Sequence, residues 1–243
     1  TFSYPNGEEA VLKNIDFVCQ KGQKIAVIGS TGSGKSTLVK LMNRFYDVSR
    51  GSIEINGVDI RKYNLESLRA QIGYVAQKAH MFKGSIQSNI CFGKPEASVE
   101  EMVHAATVAQ ASDFISTREH GYEDEIAEDG TNISGGQKQR LSIARVILKK
   151  PSLYIYDDSF SALDFKTDAT LRKALKPEVK NAIFFVVAQR ISTIMDSDMI
   201  IVLDEGQIIG MGTHAQLLKD CSVYQEIAHS QLTQKELDDY ERN

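Results

Sequence analysis

The sequence predicts an α/β fold with three parts: a mostly parallel sheet core, an antiparallel β subdomain near the N-terminus and an inserted α-helical subdomain. Three observations carry this expectation. An apolar run, Ile25-Ala26-Val27-Ile28, leads into a glycine-rich turn and then a helical pattern at Leu38, Leu41 and Met42. Strand-type runs return late in the chain, at Leu153–Tyr156, Ile183–Val187 and Met199–Leu203. Between these groups, residues 78–132 change character and turn helical. Short continuous apolar runs bounded by turns read as strands buried on both faces, as in parallel sheets.

The elements follow in order. Val11–Cys19 is expected to form a strand. The run Ile25–Ile28 enters Gly29-Ser30-Thr31-Gly32-Ser33-Gly34-Lys35-Ser36-Thr37, which fits the phosphate-binding pattern G-x-x-x-x-G-K-[ST]. Strand, loop and helix in that order is the context the pattern needs. The glycines let backbone N–H groups curl inward onto phosphate oxygens, and the helix start adds partial positive charge. Lys35 can bridge the β- and γ-phosphates, and the Ser36 hydroxyl can ligate Mg²⁺. Ser52–Ile60 carries Asn56-Gly57 between Ile53, Ile55, Val58 and Ile60, a hairpin signal. Ile72–Ala76 reads as a short buried strand. Ser98-Val99-Glu100-Glu101 is a capping box before an alanine-rich helix expected to reach Ile115. Gly206–Gly212 reads as the second arm of a hairpin. A polar helix starts at Val223, and mobility is expected over 231–243.

Composition narrows the class. The 243 residues are 42% hydrophobic and 25% charged, with a net charge of −4. That balance supports a buried core and lacks the basic footprint of a nucleic-acid binder, so no nucleic acid is expected as a partner. No apolar run approaches the length of a membrane-crossing helix. The three cysteines, Cys19, Cys91 and Cys221, are scattered without metal-ligand spacing. A chain that begins with Thr1 and enters at once on a strand-like segment is expected to be cut from a longer polypeptide.

Two further motifs identify a family. Leu153-Tyr154-Ile155-Tyr156-Asp157 is a buried strand ending in a carboxylate, and in P-loop NTPases such an acid holds Mg²⁺. Ile133-Ser134-Gly135-Gly136-Gln137 precedes an amphipathic helix start, Lys138 to Arg145. Here the chain resembles the nucleotide-binding domain of ABC transporters, whose signature is Leu-Ser-Gly-Gly-Gln, with Ile133 in place of the leucine. The resemblance covers nearly the whole chain. It implies a P-loop NTPase (RecA-like) core over residues 1–77 and 151–230, with residues 78–150 as the helical subdomain that bears the signature. It implies ATP and Mg²⁺ as cofactors. Ser134, Gly135, Gly136 and Gln137 would meet the γ-phosphate of ATP held by an opposite domain. Tyr4 matches the aromatic that stacks on adenine, worth about 1–3 kcal/mol. Gln77 matches the glutamine that joins Mg²⁺ to the transmembrane contact surface. Ser161–Asp164 matches the loop coupling two sites across a dimer. Phe82–Phe92 resembles the surface on which exporter coupling helices rest, and Glu128-Asp129-Gly130 the acidic turn typical of exporters.

Two departures from the family pattern matter most. Asp158 stands where a glutamate polarises the attacking water, and Gln189 where a histidine contacts the γ-phosphate. Ser159 and Phe160 are milder changes from alanine and threonine. A carboxylate one methylene shorter is set back by roughly 1.5 Å, and a misplacement of about 1 Å can cost about 10²-fold in rate. A Gln amide can donate a hydrogen bond but cannot become a cation or relay a proton. With the phosphate loop, Asp157 and the signature intact, the resemblance implies binding without efficient hydrolysis. It points to one half of a heterodimeric exporter whose partner supplies the glutamate and histidine. An upstream transmembrane domain and a location on the cytoplasmic face of the plasma membrane belong to the same expectation. A nucleotide-gated structural module without hydrolysis and a symmetric homodimeric exporter are the alternatives. A chromosome-maintenance ATPase fits poorly, because about 100 residues between Lys35 and Ser134 leave no room for its long insert.

Overall fold

The computed structural model describes residues 1–5, 7 and 9–233. The chain divides into two compact units, Thr1–Ile72 with Ile183–Asn243, and Gly73–Ala182.

The first unit opens with a single backbone bridge between Phe2 and Leu12, not with the strand expected over Val11–Cys19. Asn14 adopts φ 50°, and a left-handed residue so close to the bridge stops a ladder from extending. Strand β1 (Lys24–Gly29) follows, with Ile25 to Ile28 all buried. Helix α1 (Lys35–Met42) buries Leu38, Val39, Leu41 and Met42, the apolar stripe of a helix lying on a sheet. The Asn56-Gly57 turn forms as expected and joins β2 (Glu54–Ile55) to β3 (Val58–Asp59) in antiparallel register. Helix α2 (Leu65–Ala70) starts at Asn64, whose side chain accepts from the Glu66 N–H.

The second unit takes up most of β4 (Ile72–Val75) and continues with β5 (Gly84–Ser85) and α3 (Ile86–Ile90). Helix α4 (Val99–Val108) carries the expected capping box: Ser98 accepts from the Glu101 N–H while Glu101 accepts from Ser98. The helical run does not reach Ile115 unbroken. Gln110 turns to φ 58° and its carbonyl accepts from Arg140 Nη1 at 2.7 Å, so a separate α5 (Ser112–Ser116) begins after the break. Strand β6 (Glu125–Ile126) pairs with β5. Helix α6 (Gly135–Lys149) packs against α3 and α4, burying Leu141, Ile143, Ala144, Val146 and Ile147. Strand β7 (Leu153–Asp157) lies beside β4, and α7 (Phe165–Val179) closes the unit, capped by Asp164.

The first unit resumes with β8 (Ile183–Val187), β9 (Met199–Asp204), β10 (Gln207–Gly212), α8 (His214–Asp220) and α9 (Ser222–Gln231). Its strand order is β10-β9-β1-β8. β1 runs parallel to both neighbours, and β10 returns antiparallel to β9 as the expected hairpin. The carboxyl ends of β8, β1 and β9 therefore share one edge, where open parallel sheets bind their ligands. Of the mobility expected over 231–243, Gln231 ends α9 and is tied by two hydrogen bonds; 234–243 lie outside the described residues.

Candidate nucleotide site

The loop after β1 is closely packed and crossed by a cation. The Lys35 ammonium folds back over it and donates to Gly29 O at 2.8 Å, Ser30 O at 2.7 Å and Ser33 Oγ at 3.3 Å. Gly29 packs so closely that a Cβ there would lie 2.0 Å from the Leu203 carbonyl oxygen on β9. Gly34 caps α1 at φ 103°, a conformation that glycine alone adopts without strain, and no side chain caps the first turn. The N–H groups of that turn keep their partial positive charge for an anion. Ser36 is exposed at the mouth of the loop, while Thr37 is buried and its hydroxyl meets the Tyr4 hydroxyl at 3.0 Å. Tyr4 stands edge-on to Phe2 and Tyr46, with ring centroids 4.9 and 5.2 Å away.

Gln189 follows β8 on the same edge, beside the end of β1: the Ala188 N–H donates to Val27 O at 3.1 Å. Its backbone carbonyl is held by Gln231 Nε2 at 2.8 Å, and the Gln231 carbonyl accepts from the Ile191 N–H at 2.8 Å. On the far side of the loop, the Ser30 hydroxyl faces Asp204 at 3.4 Å and the Gly206 N–H donates to Ser33 O at 3.2 Å.

In the second unit, β7 ends on two buried carboxylates, Asp157 and Asp158, 6% and 8% exposed. Asp157 accepts from the Tyr74 hydroxyl of β4 at 3.3 Å. Burial, reinforced by the Asp157 charge, pushes the Tyr74 phenol up to about 12. Asp158 sits at φ 47° and accepts from Gln77 Nε2 at 2.9 Å. Its carbonyl accepts from the Ser161 hydroxyl at 2.7 Å. The next residue, Ser159, is wholly buried, and its hydroxyl has no hydrogen-bond partner among the described residues. Ser161–Asp164 leads into α7, where Asp164 accepts from both the N–H and the hydroxyl of Thr167.

The segment Ser134–Gln137 starts α6 with a full capping box. Ser134 Oγ accepts from the Gln137 N–H at 3.2 Å, and Gln137 Oε1 accepts from the Ser134 N–H at 2.9 Å. Gly135 faces open space, with nothing within 4 Å of a Cβ built on it. Gly136 lies close to the segment Ser161–Asp164, its built Cβ 3.3 Å from the Ala162 carbonyl. Elsewhere in this unit Phe82 and Phe92 stack with centroids 4.2 Å apart while remaining 47% and 58% exposed. The Arg145 guanidinium lies over both rings, and burial lowers its pKa to about 10.

A family model described as ABC transporter matches residues 12–161, from the Phe2–Leu12 bridge to the segment after β7. The chain belongs to the ABC transporter family. It is 44% identical over 234 residues to an uncharacterised ABC transporter ATP-binding protein of Mycobacterium bovis, which spans 95% of this chain and 40% of that protein. It is 44% identical over 227 residues to a putative multidrug export ATP-binding/permease protein of Bacillus subtilis, covering 93% of this chain and 39% of that one. A solved structure of a bacterial Atm1-family ABC exporter with ATP bound superposes with a TM-score of 0.91 at 37% identity, over 94% of this chain and 40% of that one. The fold is that of a P-loop NTPase. The chain spans about 40% of the length of these relatives.

Within this ABC domain some supporting residues carry no sequence signal. Tyr74 is one residue in an apolar strand, and only the pairing of β4 with β7 brings it to Asp157. Gln231 is one polar residue in a polar helix, yet it clamps the backbone on both sides of Arg190. Asp204 could have been suspected, since it ends β9 as Asp157 ends β7.

Proposed function

We propose that this chain is the ATP-binding domain of an ABC exporter and that the loop after β1 holds Mg·ATP. The observation that carries the reading is the loop itself. It is closely packed at Gly29, left-handed at Gly34, uncapped at the start of α1 and crossed by the Lys35 ammonium. Lys35 rests on two carbonyls and a hydroxyl, and phosphate oxygens are stronger acceptors for an ammonium than any of these. In this reading the backbone of Gly29 to Thr37 wraps the phosphates and Tyr4 stacks on the base. The donor set fits Mg²⁺: the Ser36 hydroxyl, the Asp157 carboxylate and the Gln77 side-chain carbonyl are all hard oxygens. Bound Mg²⁺ would neutralise charge on the phosphates. Tyr74 keeps the Asp157 carboxylate aimed, and Gln231 fixes the backbone that presents Gln189.

The exporter assignment rests on the family and on the relatives' names. On that basis residues 1–77 and 151–230 form the ATP-binding core and residues 78–150 the helical subdomain. The domain lies on the cytoplasmic face of the membrane, joined to a transmembrane domain of the same polypeptide. Two such domains pair head-to-tail on ATP, with Ser134, Gly135, Gly136 and Gln137 facing the partner's nucleotide. Asp158 and Gln189 make this chain's own site a poor hydrolase, so the partner is a different chain with glutamate and histidine at those positions. The hydrogen bond from Gln77 to Asp158 also favours a second reading, a nucleotide-gated module that never hydrolyses; turnover of the reconstituted pair separates the two.

The decisive experiment is calorimetric titration of ATP into the wild type and Lys35→Ala. Loss of the loop's cation should weaken binding at least about tenfold. Equal affinities would overturn the assignment of the loop.

A further inference from the structure

The geometry points to Asp158 as a positioning residue that selects which end of the Gln77 amide is offered to the metal. The inference rests on the nucleotide reading above and deepens it. Gln77 follows β4, and its Nε2 donates to Asp158 Oδ2 at 2.9 Å. An ionised carboxylate only accepts, so the end of Gln77 that meets it must be the amino group. The carbonyl oxygen Oε1 is thereby turned away from Asp158, and it is the only end of the amide that can ligate a hard cation. The two ends of an amide are nearly the same size. A one-sided neighbour such as an ionised carboxylate is what chooses between them.

Asp158 is well anchored for such a task. Its backbone stands at φ 47°, a left-handed conformation that Asp tolerates better than most residues. The Ser161 hydroxyl and N–H both donate to its carbonyl, at 2.7 and 3.4 Å. The residue is only 8% exposed. A short carboxylate held in this way keeps its Oδ2 on the Gln77 amide. The residue at the position of the family's water-polarising glutamate therefore orients a metal ligand. Residues that orient metal ligands typically change metal affinity about 10–100-fold when altered.

The test measures binding, not turnover: the Mg²⁺ concentration that half-maximally tightens ATP binding to the full chain, by calorimetry. Asp158→Asn keeps the size and tolerates the backbone, but Asn offers both a donor and an acceptor and no longer selects. It should raise the Mg²⁺ requirement about tenfold. Gln77→Ala should do the same, and the double variant should be no worse than Gln77→Ala alone, because Asp158 acts through Gln77. In Gln77→Glu both ends are oxygens, so adding Asp158→Asn should not weaken Mg²⁺ binding. An unchanged Mg²⁺ response in Asp158→Asn overturns the assignment. So does a further loss when Asp158→Asn is added to Gln77→Ala, which would put Asp158 on the metal directly. ATP binding at saturating Mg²⁺ is the control that separates the two levels. Its absence in the wild type removes the nucleotide reading and this assignment with it. Its presence with an unaltered Mg²⁺ response in Asp158→Asn removes this assignment alone.

Discussion

The carboxyl end of β1 and the carboxyl end of β7 are built to opposite standards. At β1 the left-handed position that opens α1 falls on a glycine, Gly34, and Lys35 meets three oxygens within 3.3 Å. At β7 the left-handed position falls on Asp158, and the neighbouring Ser159 hydroxyl is buried with no partner among the described residues. The first region meets backbone and hydrogen-bonding preferences at these positions, and the second departs from them at two. Such breaks concentrate where a function is carried or has been altered. The region read as binding phosphate is the one in good order. The region read as carrying the chemical step is the one that carries both exceptions.

The largest expected effect tests whether turnover in the pair depends on the β7 end at all. If the start of α6 faces a partner's nucleotide, as proposed, Gly135→Asp sets a carboxylate against its γ-phosphate. At about 4 Å and an effective dielectric of ~20, like charges repel by roughly 4 kcal/mol. That is about 10³-fold, enough to abolish steady-state ATPase of the purified pair. The fold should tolerate the change, because a Cβ at 135 meets nothing within 4 Å. At saturating Mg²⁺, Asp158→Asn should leave most turnover in place. Equal damage from both variants would make the β7 end a working catalytic site and the exporter symmetric.

Repairing the β7 end comes next. Asp158→Glu with Gln189→His should raise turnover by more than the two single gains added, since groups that act on one transition state are not additive. A full extra methylene of reach corrects a misplacement worth about 10²-fold. Additive or absent gains, measured by single-turnover hydrolysis, would mean that these residues are not what limits the site.

The last two predictions concern stability and should have opposite signs. Gly34→Ala puts a side chain at φ 103°, with its Cβ 2.6 Å from Leu12 Cδ2. It should cost about 1–3 kcal/mol in urea unfolding. Ser159→Ala removes a buried hydroxyl that has no partner among the described residues. It should stabilise by about 1 kcal/mol. A loss on Ser159→Ala would show that the hydroxyl is satisfied after all and that the β7 end is less strained than its geometry implies.

Much of this was legible in the sequence wherever one segment decides its own structure. The runs that became β1, β7, β8 and β9 are apolar throughout, and the capping box at Ser98 marks a helix start by local chemistry alone. The misreadings share one cause. Val11–Cys19 alternates well enough for a strand, and the alanines before Ile115 suit a helix, but single residues, Asn14 and Gln110, turn left-handed and stop both. Gln110 does so where its carbonyl is taken by Arg140, a partner 30 residues away that no local pattern announces. The candidate site divides in the same way. The phosphate loop is contiguous and therefore readable, whereas Tyr74 reaches Asp157 across 83 residues and Gln231 reaches Gln189 across 42.

That last contact bears on how the protein can be handled. Helix α9 ends in a side chain whose carbonyl and amino group pin the backbone at Ile191 and Gln189, on the edge that also carries the phosphate loop. A truncation or affinity tag that replaced Gln231 would free both of those backbone groups. A shortened version prepared for convenience could thus lose the register of Gln189 while keeping its fold and its affinity for ATP. Cutting after Thr233 spares the clamp.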